Sequence, residues 1–377
     1  MEYTKVCGIV RDKGACGFYR IEQPLTFLNE DNDFDVAIGG AGSGMDNDLF
    51  QLLQTCDVVV LPRAASEESL HLVTVLHDMS PSKKVIIDHD DDIFNVNPSS
   101  PHYKDRGIKN AKVKANGRNV VVWKDGRNSF DIERNRNNLE LAKEILGKAD
   151  GVFVTTPKLA DVYGEYNDNI TVLPNSLDFN IWKPYKIEKD NNIRITWHGG
   201  YSHYEDLNEI SSELKNITTK HKNVKLEICG YEFKGVFDGI DPDQYTQHDW
   251  VDVSVHPYKQ ILLNADIGVI PLADNAFNKS KSPIKWIEYS ALGIPCVVKD
   301  IEPYSNLIIH GINGFLYTNT EEFEFWVDKL VEHPSLRERI GKAAQEYVHE
   351  HFDVRKNSKY WSEAIKNITE KKCLSLH

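Results

Sequence analysis

The stretch Ser282-Pro283-Ile284-Lys285-Trp286-Ile287-Glu288-Tyr289-Ser290-Ala291-Leu292-Gly293-Ile294-Pro295-Cys296-Val297-Val298 reads as loop, helix, tight turn and buried strand. Pro283 suits a first helical turn, where its missing N–H costs nothing. Ile284, Ile287, Ala291 and Leu292 follow the spacing of one apolar helical face. Gly293 stands where a helix C-terminus needs positive φ, and Pro295 prevents continuation. Cys296-Val297-Val298 then opens a short apolar strand. Lys285 and Glu288 are three apart, so they share a helix face. Lys281 precedes the helix N-terminus, where backbone N–H groups favour an anion. A cation, a helix N-terminus and a carboxylate one turn later can hold a diphosphate and a ribose diol. The other reading of Lys285 and Glu288 is an ordinary exposed helix pair.

The flanking residues extend the pattern. Asp300-Ile301-Glu302-Pro303-Tyr304 and Ile309-His310-Gly311-Ile312-Asn313-Gly314-Phe315-Leu316 follow downstream. With the basic loop, the helix carrying Glu288 and Ala291-Leu292-Gly293-Ile294-Pro295, this half resembles the donor-nucleotide site of GT-B glycosyltransferases, especially glycosyltransferase family 4. The family often carries two glutamates with seven residues between them. Glu288 matches the second, whereas the first falls on Ser280, so the resemblance leaves the donor sugar open.

The resemblance implies an α/β protein of two doubly wound, Rossmann-like domains with a cleft between them, and length and composition are compatible with it. At 377 residues the chain exceeds one typical core. It is 41% hydrophobic and 27% charged, ordinary for a globular protein. No apolar run approaches the ~20 residues of a membrane span, and the N-terminus lacks a signal-peptide apolar region. The six cysteines are scattered without a Cys-x-x-Cys pair, which points to a reducing, cytoplasmic compartment with neither disulfide nor zinc framework. The net charge of −13 argues against a generally nucleic-acid-coating surface. Charge is unevenly spread, however: Tyr103 to Arg136 holds ten Lys/Arg and four Asp/Glu, hence +6, leaving −19 for the rest.

The first half opens with Lys5-Val6-Cys7-Gly8-Ile9-Val10 as a buried strand. A glycine-containing turn to Gly17 follows, then a helix beginning at Phe18-Tyr19-Arg20-Ile21. Such a turn lets a ligand approach the backbone at Gly17, and Arg20 can hold a phosphate or simply be a surface arginine. Strands are expected at Phe34–Ile38, Asp57–Leu61 and Lys84–Asp88, with a helix over Glu67–Met79. The acidic run Asp88-His89-Asp90-Asp91-Asp92 follows the last of these strands, just where open α/β sheets bind ligands. Asp88-x-Asp90 fits the hard-oxygen motif that takes Mg²⁺ or Mn²⁺ in GT-A enzymes. GT-B enzymes generally need no metal, so the resemblance implies no required cofactor beyond the nucleotide-sugar co-substrate.

A basic insertion at about 103–136 carries Lys112, Lys114, Arg118 and Trp123. It reads as a hairpin or loop around Val120–Trp123 that offers cations and aromatic planes to an anionic acceptor, or as a solvated loop balancing an acidic body. The run from Asp90 to Tyr103, with Trp123-Lys124-Asp125-Gly126, resembles a subset of phage-encoded and bacterial glycosyltransferases. Asp131–Ala149 is expected as a helix. Pro174-Asn175-Ser176-Leu177-Asp178 resembles the interdomain linker of GT-B enzymes. The expected division is therefore 1–180 for an acceptor-side domain, 186–350 for the donor-nucleotide domain, and 351–377 for a terminal helix crossing back. In the second half a strand at Ile193–Trp197 leads into His198-Gly199-Gly200-Tyr201-Ser202-His203, and Tyr204–Ile217 reads as one helix.

The resemblance implies transfer of a sugar from a nucleotide-diphosphate donor to a hydroxyl acceptor, with retention. Lys281 and Lys285 would neutralise the leaving diphosphate. Glu288 would accept from ribose hydroxyls, and Gly199 and Gly200 would admit the phosphates to the backbone. His203 matches a position often polar in the family. His89 would face the donor sugar, with Asp90 and Asp91 facing sugar or acceptor. Duplex DNA with hydroxymethylated bases, a lipid phosphate and an anionic glycan polymer all fit the basic insertion. Two other readings share the fold: a sugar-nucleotide epimerase, and a non-catalytic sugar-nucleotide or glycan binding protein, which Ser280 keeps open.

Overall fold

The computed structural model describes residues 3–12, 14–40, 47–115, 118–184, 190–251 and 256–370. Its strands in chain order are β1 (Thr4–Ile9), β2 (Phe34–Gly39), β3 (Val58–Pro62), β4 (Lys84–His89), β5 (Ala111–Ala115), β6 (Arg118–Trp123), β7 (Gly151–Val154), β8 (Ile170–Val172), β9 (Ile193–Gly199), β10 (Val224–Gly230), β11 (Tyr245–His248), β12 (Ile267–Ile270), β13 (Cys296–Lys299) and β14 (Phe315–Tyr317). They form two six-stranded sheets, β2-β1-β3-β4-β7-β8 and β11-β10-β9-β12-β13-β14, and a separate β5–β6 hairpin. Every pairing within the two large sheets is parallel. Parallel strands are covered on both faces by crossover helices, which is why Val58–Leu61, Val85–Ile87 and Ile267–Ile270 are continuous apolar runs, all buried. The GT-B architecture follows: two doubly wound sheets in tandem.

Each sheet reverses its strand order once, between β1 and β3 in the first and between β9 and β12 in the second. Such reversals leave crevices at the carboxyl ends of the strands, where ligands bind. The chain after β1 turns into Ala15–Gly17, continues as a π turn over Phe18–Glu22 and then as an α-helix over Gln23–Leu28. π turns inside helices are rare and concentrate at functional positions. After the second sheet, the helix Val354–Glu370 returns to the first, burying Trp361, Ala364, Ile365 and Ile368 against Val6, Phe153 and their neighbours. The two passages between the domains pair with each other: Leu177 N–H donates to Phe352 O at 2.8 Å and Val354 N–H to Leu177 O at 3.0 Å.

Two local expectations are corrected. The segment read as one helix over Tyr204–Ile217 is two, Tyr204–Glu209 and Ser211–Lys220, broken at Ile210. The hairpin β5–β6 does form, but Trp123 does not present its ring to a partner. Its indole N–H donates to Pro98 O at 2.7 Å, and its ring lies 5.6 Å from Phe130 and 6.1 Å from Tyr103, in a small core under the hairpin. Lys112 is exposed, while the side chains of Lys114 and Arg118 lie outside the described residues. No described helix is long and apolar enough to cross a membrane.

Candidate active site

The two crevices face each other across the domain boundary and form adjoining cavities of about 190 and 120 Å³ that share Ala15, Tyr19, Ile284 and Lys285. The larger lies against the ends of β9 and β10, lined by Gly199, Gly200, Gly230, Trp250 and Glu288 among others. The smaller reaches the first domain at Cys16, Asp90 and Asp91 and the second at Pro271, Leu272 and Lys281. Bare backbone at the strand ends makes the larger cavity possible. Gly230 has φ +115°, and a Cβ there would collide with Gly199 O; a Cβ on Gly200 would point into open space.

The helix Ile284–Ala291 delivers Lys285 and Glu288 into this space. Its first intrahelical bonds run from Trp286 and Ile287 N–H to Pro283 O, so the N–H groups of the preceding residues lie at the open end of the helix, where an anion is favoured. Gly293 has φ +74° and ends the helix before β13.

Lys285 and Glu288 do not form the simple exposed pair. Lys285 Nζ donates to His203 Nε2 at 3.0 Å, and His203 Nδ1 lies 2.6 Å from Asp206 Oδ2. Because the carboxylate accepts at Nδ1, that nitrogen carries the proton and Nε2 presents its lone pair to the ammonium. Burial and the Lys285 charge push His203 down to about 4, which keeps the ring neutral. Asp206 is in turn fixed by Ala273 N–H at 2.7 Å and Asn278 Nδ2 at 3.1 Å. Desolvation first, and Lys281 second, push Lys285 down to about 8, so it is cationic at neutral pH but poised to lose that charge. Its Nζ also lies 5.8 Å over the Trp197 ring.

Glu288 is buried, and each carboxylate oxygen accepts a phenol: Tyr19 Oη on Oε1 at 2.6 Å and Tyr258 Oη on Oε2 at 2.9 Å. Tyr258 Oη also lies 2.8 Å from His198 Nδ1. Burial pushes Glu288 up to about 7 against the opposing phenols. Tyr19 comes from the first domain, so the bond to Glu288 ties the domains together inside the cleft. Lys281 Nζ, 3.8 Å from Asp91 Oδ1, makes a second tie. Asn175 Nδ2 to Ser282 Oγ at 2.9 Å and Thr156 Oγ1 to Ser280 O at 3.0 Å make two more. Ser280 itself is buried, with its hydroxyl donating to Ala276 O.

The acidic run is arranged differently from the sequence expectation. Arg20 is buried at the wall of the smaller cavity, and its guanidinium is already engaged: it forks onto Asp88 at 3.0 and 2.7 Å and donates to Leu173 O and Asn175 Oδ1. These bonds tie the end of β4 to the interdomain passage and leave the guanidinium little to offer a donor. Asp88 accepts that fork and lies beneath the cleft. Asp90 is forked by Arg63, at 2.7 and 2.8 Å. Burial would raise its carboxyl, but Arg63 holds it well below the usual range. Asp88 and Asp90 are thus each occupied by an arginine, and among the described residues no cluster of His, Cys, Asp and Glu is placed to hold a metal.

His89, unlike Asp90 and Asp91, does not line the cleft. It is fully buried, stacked 4.6 Å from Tyr163, and burial pushes it down to about 3. Gly17 is a packing position: a Cβ there would collide with Asp12 O, so its absence lets the first turn close. Asp91, part-exposed, is the acid of the run that lies open in the smaller cavity beside Lys281. Sequence reasoning misses Tyr19, Arg63, His198 and Tyr258. Arg63, with φ +48° at the end of β3, also touches Cys16; a lone arginine after an apolar run carries no such signal. Tyr19 is within sight, beside Arg20 in the first glycine turn.

Residues 178–347 match the family model described as glycosyl transferases group 1, which spans the interdomain passage and the second sheet. HepE of Anabaena, solved in complex with UDP-glucose, superposes with a TM-score of 0.66 at 13% identity, over 97% of this chain and 100% of its own. Sucrose-phosphate synthase of Thermosynechococcus elongatus gives 0.67 at 13% identity, over 98% and 100%. A glycosyltransferase of Rickettsia africae gives 0.60 at 13%, over 99% and 100%. No curated protein matches the chain in sequence. The chain is a GT-B protein whose second domain carries the group 1 glycosyl transferase signature, as the resemblance in its own motifs implied.

Proposed function

We propose that this protein transfers a sugar from a nucleotide-diphosphate donor to a hydroxyl acceptor. The observation that carries the reading is the convergence of Lys281, Lys285 and the open end of the helix Ile284–Ala291 between two facing switch points. The nucleoside fits the larger cavity, with its ribose toward Glu288 and its base toward Trp250, which is 60% exposed. The diphosphate lies over the helix end and Lys285, and the sugar points into the smaller cavity. Charge develops on the leaving phosphate, where preoriented cations in a partly desolvated cleft are most effective. The Asp206–His203 pair fixes the Lys285 ammonium before the donor arrives, so little reorganisation accompanies transfer.

Asp91 and Asp90, across the cleft, are the carboxylates that face the sugar. Asp90 is held by Arg63, which leaves Asp91 for sugar or acceptor hydroxyls. This arrangement replaces the acid that the family often places where Ser280 stands. Retention of configuration and independence from divalent metal follow the resemblance to family 4. The acceptor reading is an anionic one, drawn by the +6 insertion. HepE binds UDP-glucose, which makes uridine donors the first to try here. The test is a thermal-shift screen of nucleotide sugars, since a ligand at 100 times its Kd stabilises by about 2.7 kcal/mol. One or more should raise the melting temperature and be consumed with an added acceptor; a flat screen, or turnover to an epimer without transfer, would overturn the proposal.

A further inference from the structure

The hairpin β5–β6 exposes an aliphatic ridge. Val120, Val121 and Val122 are 47%, 50% and 37% exposed, and Ile108, just ahead of β5, is 39% exposed. Three consecutive exposed valines mean that both faces of β6 carry apolar surface, because side chains alternate across a strand. The two strands pair only with each other in the described sheets. An exposed, β-branched ribbon of this kind is an aggregation hazard unless something covers it.

The surroundings say what covers it. Lys109, Lys112 and Lys124 are exposed beside the valines, and the segment Tyr103–Arg136 is +6 on a chain that is otherwise −19. An anionic surface repels the body and attracts this one face. The aromatic rings that would stack on nucleobases are not available, since Tyr103, Trp123 and Phe130 pack on one another beneath the hairpin. What remains outside is aliphatic side chain with exposed lysines on the same segment, Lys112 directly across the ladder from Val121. That is the composition that enters the boundary of an anionic bilayer, with valines at the acyl chains and lysines at the phosphates. His102, which precedes the helix Tyr103–Arg106 and the hairpin, lies 5.2 Å from Tyr201 of the second domain.

We propose that β5–β6 is a membrane-docking element that seats the protein on an anionic lipid surface. This goes beyond the transfer reaction and does not depend on it. The test is co-sedimentation of the full chain with vesicles of phosphatidylcholine alone or mixed with phosphatidylglycerol, at low and high salt. The protein should partition onto the anionic vesicles and be released by salt. The combined change Val120→Thr, Val121→Thr, Val122→Thr keeps β-branched shape and should weaken partitioning by at least about tenfold. Lys112→Glu with Lys124→Glu should weaken it to a similar extent, and both variants should keep the wild-type melting temperature. No partitioning, equal partitioning onto neutral vesicles, or valine variants that bind like wild type would overturn the proposal. So would tighter binding to duplex DNA than to vesicles through the same lysines, or a concentration-dependent dimer lost in the valine variant.

Discussion

Replacing Glu288 by Gln should remove a pH-dependent destabilisation built into the cleft. The carboxyl is buried between two phenols, and burial pushes it from the ordinary 4.5 up to about 7. Between those values the native protein binds the proton more readily than the unfolded chain does. Stability from this group is therefore full below about pH 4.5 and is lost as pH rises toward 7. The rise from 4.5 to about 7, at ~1.4 kcal/mol for each tenfold change in proton affinity, corresponds to roughly 3 kcal/mol. The amide of the Glu288→Gln variant cannot titrate and keeps one acceptor for a phenol. The difference in melting temperature, Glu288→Gln minus wild type, should rise by about 6–12 °C between pH 4.5 and pH 7.5, taking ~2–4 °C per kcal/mol for a domain of this size. It should then level off. Unfolding followed by near-ultraviolet circular dichroism in matched buffers measures it. A difference that stays constant across that range would refute the burial argument and place Glu288 in contact with water.

Other consequences follow from the same geometry. Arg20→Ala leaves Asp88 buried without its partner and should cost about 3–5 kcal/mol of stability, read by denaturant melting, with little effect on any donor affinity retained by folded protein. Lys285 sits at about 8, so donor affinity should be flat below pH 8 and decline above it by up to about tenfold per pH unit, measured by calorimetric titration. A phosphate-free nucleoside should show no such decline. Transfer should survive EDTA, because Asp88 and Asp90 are each occupied by an arginine; loss of activity restored by Mn²⁺ would reverse that view.

Much of the fold is legible in the sequence because it rests on local rules. The apolar runs of β3, β4 and β12 and the helix Glu67–Met79, whose start is capped by Ser66, follow from composition and capping. The turn at Gly293 is readable from its φ requirement, and it fixes where Lys285 and Glu288 point. The cleft itself is less legible, because its partners converge from distant segments. Tyr19 and Glu288 are 269 residues apart, and Arg20 meets Asp88 across 68. Arg20 is visible as a candidate because it follows the first glycine turn, whereas Arg63 after β3 carries no such signal. Only the packing shows that each is forked onto an acid at the end of β4, Arg20 onto Asp88 and Arg63 onto Asp90. His89 fails in the same way: position beyond a strand end is visible in sequence, but which way the side chain turns is not, and here it turns onto Tyr163. Trp123 reads in sequence as an aromatic plane for an acceptor, yet its neighbours Tyr103 and Phe130 give it a core to fill.

Everything proposed for the cleft turns on Lys285, fixed by His203 and Asp206, holding the diphosphate of a nucleotide-sugar donor. Calorimetric titration of UDP-glucose, and of the other common nucleotide sugars, into wild type and Lys285→Ala measures that contact. Losing a hydrogen bond to a charged group is worth about 1.5–3 kcal/mol, or roughly 10–150-fold in affinity. At least one donor should bind wild type saturably and lose affinity by that factor in the folded variant, with binding of the bare nucleoside unchanged. Equal donor affinity in the two proteins, or no donor binding to wild type, would contradict it.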